Sequence, residues 1–181
     1  MRLAAALIVS LPAAAATVRG PADVETLAAA SEAVVHARVL SQESRWGGGG
    51  ESSGVIYTRV LLRPLEWWKG GGAAEAIVVS LPGGTVGDLS QTVQGVATFT
   101  AGEEVVLFLR QLGRERTGLP VYDVERLALG KFSVGGLPGR PLRAMRDRGS
   151  LACQGCRAGE EDDLALDALR DRVRRAALDR P

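Results

Sequence analysis

The sequence has one histidine in 181 residues, two cysteines and few aromatics (three Trp, two Tyr, three Phe), and charge of neither sign prevails. Each scarcity excludes something. A lone histidine, His36, cannot complete a tetrahedral metal site with one cysteine pair. It also leaves a Ser-His-Asp or Cys-His arrangement a single residue to serve as its base. The count of 22 basic against 21 acidic residues gives a net charge of +1. Such a balance lacks the basic footprint of a nucleic-acid binder and the polybasic patch of a peripheral membrane protein. The single long apolar run, residues 3–11, is too short to cross a bilayer, which needs ~20 such residues.

That run belongs to an address. Met1-Arg2 is a short basic start, residues 3–11 are apolar apart from Ser10, and Pro12 leads into Ala13-Ala14-Ala15-Ala16. This layout predicts a signal peptide over residues 1–16, cut between Ala14 and Thr17. The expectation is an exported protein, periplasmic or extracellular, with no stable membrane anchor after leader cleavage. Without the leader 181 − 16 = 165 residues remain, and loss of Arg2 leaves 22 − 1 = 21 basic against 21 acidic groups. That length suits one domain, which buries roughly 70% of its unfolded surface and needs no metal or disulfide scaffold. With 46% apolar residues the chain reads as globular. Lysine occurs only at Lys69 and Lys131 while Arg, Ala and Gly abound, the composition of a GC-rich bacterial gene.

Hydrophobic period then divides the chain. Residues 23–33 predict a short helix with an acidic first turn. From residue 34 to 46 the period drops to two, with Val35, Ala37 and Val39 on one face and His36, Arg38 and Gln42 on the other. Ile56, Thr58, Val60 and Leu62 repeat the pattern, and a Gly/Ser-rich tip joins the two strands into a hairpin. Pro64 cannot donate to a ladder, so it predicts an edge or a bulge. Further strands are expected over 76–81, more weakly over 91–99, and over 121–127 and 131–134. Residues 105–109 are apolar on both faces and predict the most central strand. Short strands separated by Gly- and Pro-rich turns imply a small barrel or sandwich over 23–135. A loop carrying the cysteines is expected over 136–159. A C-terminal amphipathic helix is expected within 160–181, with Leu166, Leu169, Val173 and Ala176 packing on the barrel. Acidic residues at its start and arginines toward its end complement the helix dipole.

Motifs with chemistry are few. Gly-x-Ser-x-Gly, His-Glu-x-x-His and a phosphate loop are all missing, and His36 sits mid-strand with no nucleophile signature nearby. Cys153-Gln154-Gly155-Cys156 is the disulfide or redox candidate. As a local disulfide in an oxidising compartment it would pin the turn before the last helix. As a redox pair it would need a thiol activated at a helix start, inside a βαβ pattern that this chain lacks. Haem attachment fails because Arg157 stands where His is required. The carboxylate pairs at Glu103-Glu104 and within 160–163 read as a turn and a helix cap. Trp46, Trp67 and Trp68 lie at strand ends, and since neighbours on a strand face opposite ways, Trp67 and Trp68 cannot both be core: one is expected at the surface or under a loop with Trp46 near it, unless the rings simply plug the barrel end. They are the candidate ligand contacts, for a glycan or a protein.

Residues 33–39, Tyr57-Thr58-Arg59-Val60, Leu65-Glu66-Trp67-Trp68-Lys69-Gly70, residues 99–109 and Gly130-Lys131-Phe132 together resemble uncharacterised exported bacterial small β-barrel proteins. More distantly their order is similar to the netrin/tissue-inhibitor-of-metalloproteinases type (NTR-like, OB-fold). The resemblance spans residues 28–134 and implies an OB-like barrel; with the helices read from the pattern on either side, the expectation is a mainly β, small OB-like β-barrel of about six to seven strands, with a short N-terminal helix and a C-terminal amphipathic helix. The inhibitors' cysteine-rich mature N-terminus has no match here, so protease inhibition and its site residues do not carry over. The expected function is a non-enzymatic binding or interaction domain of the bacterial envelope, with an envelope or extracellular protein as partner. No catalytic residue, cofactor, metal or nucleic acid is expected. The alternatives are a thiol-disulfide redox protein using Cys153/Cys156 and a secreted glycan binder using surface tryptophans.

Overall fold

The computed structural model describes residues 17–20, 22–47, 54–148, 151–154 and 162–178. The segment predicted as a leader, the tip of the first hairpin and Cys156 lie outside the described residues. Strands β1 (Thr17–Arg19), β2 (Ala33–Trp46), β3 (Ile56–Lys69), β4 (Ile77–Pro82), β5 (Gly84–Val86), β6 (Leu89–Gln91), β7 (Glu104–Arg114), β8 (Pro120–Val124), β9 (Lys131–Gly135), β10 (Arg143–Met145), β11 (Ala152–Gln154) and β12 (Asp163–Ala165) accompany two α-helices. These are α1 (Val24–Ala30) and α2 (Leu166–Leu178). The order β2-β3-β4-β8 closes through β7–β8 and β7–β2 pairing into a five-stranded OB-like barrel. All its pairs are antiparallel except β4–β8, whose parallel register sets Val78 opposite Val121.

Alternation builds two cores from the same strands. Val35, Ala37 and Val39 of β2 and Val105, Leu107 and Leu109 of β7 point into the barrel. Their neighbours Val34, Val106 and Phe108 point outward and are equally buried, because α1 and α2 cover them with Leu27, Leu169 and Val173. A strand apolar on both faces is therefore buried on both faces. Phe132 of β9 joins the outer core, its ring centroid 6.0 Å from that of Phe108.

The helices are fixed locally and to each other. Asp23 caps α1, accepting a 2.7 Å hydrogen bond from the Thr26 amide. Arg172 of α2 donates two bonds to the Glu25 carboxylate of α1, at 2.7 and 2.6 Å. Arg174 donates to Glu66 on β3 at 2.7 Å. Exposed pairs such as these position the helices more than they stabilise them.

Several elements differ from the sequence reading. Residues 92–103, which overlap the weak strand expected over 91–99, form no strand, whereas Gly84–Val86 and Leu89–Gln91 pair as a hairpin. The loop predicted over 136–159 carries β10 and β11, and residues 163–165 form β12 ahead of the helix. Those strands are three residues long, too short to show a period. Pro64 sits opposite Ala37 beside a register shift, the bulge its missing N–H calls for.

Candidate functional site

The barrel has two mouths, each with a cavity. One of about 360 Å³ lies between the β5–β6 hairpin and the barrel, lined by Gln42, Thr58, Thr85, Gln91 and Phe99. Gly84 lets that hairpin sit down: its φ is +134°, and a Cβ there would overlap the Ser44 and Thr58 hydroxyls. The lining has one aromatic ring and no ionisable group.

The other mouth is chemically richer. There a cavity of about 290 Å³ is bounded by Trp67, Tyr122, Glu32, Gln111, Arg114 and the chain from Gly71 to Ala74. Trp67 reaches it from the end of β3, and Tyr122 from an inward position of β8. Their rings are tilted by 50° with centroids 6.4 Å apart. Gly71 holds one side of the indole, with φ +82° and a position where a Cβ would overlap the ring. The bend of 70–72 thus forms a wall over Trp67 that only glycine allows.

Charge at this mouth is placed by the ends of β2 and β7. Glu32 precedes β2 and accepts from the Gln111 amide at 3.3 Å, while Arg114 ends β7 and donates to the Gly118 carbonyl at 2.8 Å. Burial pushes the Tyr122 phenol above its ordinary pKa, with Glu32 pushing the same way and Arg114 opposing. The Tyr122 hydroxyl makes no hydrogen bond with a described residue. The arrangement can stack or edge-pack a flat group, and can hydrogen-bond or charge-pair polar groups around it.

The three candidate tryptophans do not form one cluster. Trp68 is 5% exposed in the outer core, where its indole N–H donates to Glu66 at 2.9 Å. Trp46 is 43% exposed and pairs with Ile56 at the far end of β3 from Trp67. Ile56, opposite Trp46, and Trp67 are separated by about 35 Å of strand contour along β3, at roughly 3.3 Å per residue. Trp46 and Trp67 are thus held at opposite ends of the β2–β3 hairpin.

His36 lies on the outward face of β2, with Nε2 3.3 Å from Glu104 Oε2 and its ring 6.1 Å from that of Trp68. Arg38 binds the other Glu104 oxygen, and this bond is the chief reason the Glu104 pKa sits below its ordinary value. The neighbouring Glu103 faces elsewhere, bonded by Lys131 at 2.7 Å and Ser133 at 2.5 Å. Burial works against that carboxylate, yet these bonds outweigh it and lower its pKa. Glu103 and Glu104 are therefore two separate structural anchors rather than an acid/base pair.

Cys153 lies in β11, in parallel register with Val18 of β1, so its backbone belongs to a ladder rather than a helix start. Cys156, its partner in the motif, is outside the described residues. Among the described residues no group of His, Cys, Asp and Glu is arranged to hold a metal ion. No helix among them is long and apolar enough to cross a membrane.

Sequence reasoning singled out Trp67 but missed Tyr122, Glu32, Gln111 and Arg114. Gln111 and Arg114 share the β7–β8 hairpin with Tyr122, and barrel closure brings Glu32 and Trp67 to them, although the Gly70-Gly71-Gly72 run three residues after Trp67 was a signal that backbone packs on that ring. Compared with models of protein families and with curated proteins, the chain finds no match in either.

Proposed function

We propose that the protein is an exported binding domain of the bacterial envelope, and that the Trp67–Tyr122 cavity is where it takes its ligand. The observation that carries this reading is one concave site joining two aromatic rings to a carboxylate, a guanidinium and an amide. Small-molecule sites combine apolar surface with a few orienting polar groups in this way. The volume of about 290 Å³ lies at the small end of the ligand-cavity range, ~300–1,000 Å³. A molecule of monosaccharide size, with one flat apolar face and hydroxyls around it, fits better than a polymer. Its ring would lie against Trp67 and Tyr122, and its hydroxyls would meet Glu32, Gln111 and the phenol. A non-enzymatic role is supported by the position of His36 beside Glu104 and Trp68, away from this mouth.

The test is a titration of the mature protein with monosaccharides, disaccharides and small zwitterions, followed by two-dimensional NMR. Binding should shift the Trp67 indole signal and the amides of residues 71–74. Tyr122→Phe and Glu32→Gln should each weaken it by about ten-fold, the loss of one oriented hydrogen bond of ~1.4 kcal/mol, with the fold intact. Binders that shift other surfaces only, or affinities indifferent to both substitutions, refute the assignment.

A further inference from the structure

The free edge of β2 carries an inference of its own, independent of the cavity. The Gly47 amide donates to the Val55 carbonyl at 2.7 Å beside the hairpin tip. Bonded pairs in an antiparallel ladder recur at every second residue. The bonded pairs of β2 and β3 are therefore Arg45–Tyr57, Glu43–Arg59 and Ser41–Leu61. Ile56 agrees, since its amide donates to Gln91 and its carbonyl accepts from Gly83, both away from β2. It follows that the backbone N–H and C=O groups of Gln42, Ser44 and Trp46 point away from β3. On that side the ladder with β7 ends at Arg38, and the last bonds join Val39 to Gly102 and Glu103. Past Val39 no described strand pairs with the edge, and residues 40–46 are exposed except for half-buried Ser44.

An open edge accepts any strand unless side chains restrict it. Here they select one partner and one register. Antiparallel self-pairing centred on position 43 would set Glu43 against Glu43, and centring on 45 would set Arg45 against Arg45. Centring on Ser44 sets Glu43 against the second copy's Arg45, whose guanidinium also reaches Glu115 of its own chain at 3.4 Å, and by symmetry Arg45 against its Glu43. The same register makes Ser44–Ser44 and Gln42–Trp46 the bonded pairs, the residues whose backbone groups pair with no described strand. Of the registers centred on 43, 44 and 45, hydrogen bonding and charge thus agree on the one centred on Ser44, which also engages all three outward-pointing residues.

We propose that β2 pairs antiparallel with β2 of a second copy of this chain, centred on Ser44, fusing the two barrel sheets into one. Trp46, at 43% exposure, is then covered by the second copy's Gln42.

Sedimentation velocity on the full mature chain from about 10 µM to about 1 mM covers the range in which a small interface populates. It should show a reversible monomer–dimer equilibrium. E43R and R45E should each weaken the dimer by roughly ten-fold, since each turns two facing attractions into repulsions. The double variant E43R/R45E should restore it, which separates lost pairing from lost folding. Hydrogen exchange should show the amides of Gln42, Ser44 and Trp46 gaining protection with concentration, while those of Ser41, Glu43 and Arg45 do not change. A monomer at every concentration, a dimer indifferent to the charge reversals, or protection gained elsewhere overturns the proposal.

Discussion

Replacing Phe132 tests whether the outer core is a packed interior or only a covered surface. The side chain is fully buried, 6.0 Å by ring centroid from Phe108, and the Arg146 guanidinium carbon lies 4.4 Å from its own centroid. The Arg146 side chain is 0% exposed and donates to the Ala22 carbonyl at 2.9 Å, so its charge is desolvated where it meets the ring. Phe132→Ala removes the ring outright, and such changes cost about 3–5 kcal/mol. The upper end is expected here, because the ring pair and the cation contact go together. Phe132→Leu keeps most of the volume and isolates the aromatic contribution. The ring pair is worth about 0.5–1.5 kcal/mol and a desolvated cation over a ring about 1–2 kcal/mol. The leucine variant should therefore lose about 1.5–3.5 kcal/mol in all. Urea unfolding followed by far-UV circular dichroism, with an unchanged m-value, measures both. A leucine variant within about 0.5 kcal/mol of wild type would refute the reasoning, as would an alanine variant no worse than leucine.

Gly71→Ala should destabilise by about 1–3 kcal/mol, because φ is +82° and the new methyl meets the Trp67 ring; unaltered unfolding and unaltered tryptophan emission would contradict this. Glu103 has a lowered pKa in the fold, so its contribution is complete above the unfolded glutamate value of about 4.3 and is lost as pH falls through the folded value. Glu103→Gln should therefore flatten the decline of the urea midpoint in acid, and parallel declines in variant and wild type would count against it.

Much of this architecture could be read from local pattern. Residues 105–109 are apolar at every position, and the strand they form is buried on both faces because the barrel lies on one side and the helices on the other. The first hairpin and the Pro64 irregularity were legible for the same reason, since period and a missing donor are local facts. What period cannot reveal is pairing shorter than itself: Arg143–Met145 and Asp163–Ala165 are held by register with β9 and with each other. The cavity was legible only in Trp67. Glu32 reaches it from just before β2, and Arg114 and Tyr122 from the β7–β8 hairpin, segments whose sequences give no hint that they share a mouth with Trp67. The same holds for Glu104, which reads as a turn residue until the β2–β7 register brings it beside His36.

The bidentate clasp between Glu25 and Arg172 joins positions 147 apart. A ribosome or translocation pore delivers the chain from its N-terminal end, so every barrel strand has emerged before the helix that bears Arg172. Throughout that interval Val106, Phe108 and Phe132 present a greasy belt with half its lid missing, the kind of surface that drives nascent chains to clump. Protection from aggregation therefore arrives only with α2, and any cellular factor that shepherds this molecule must stay with it until then.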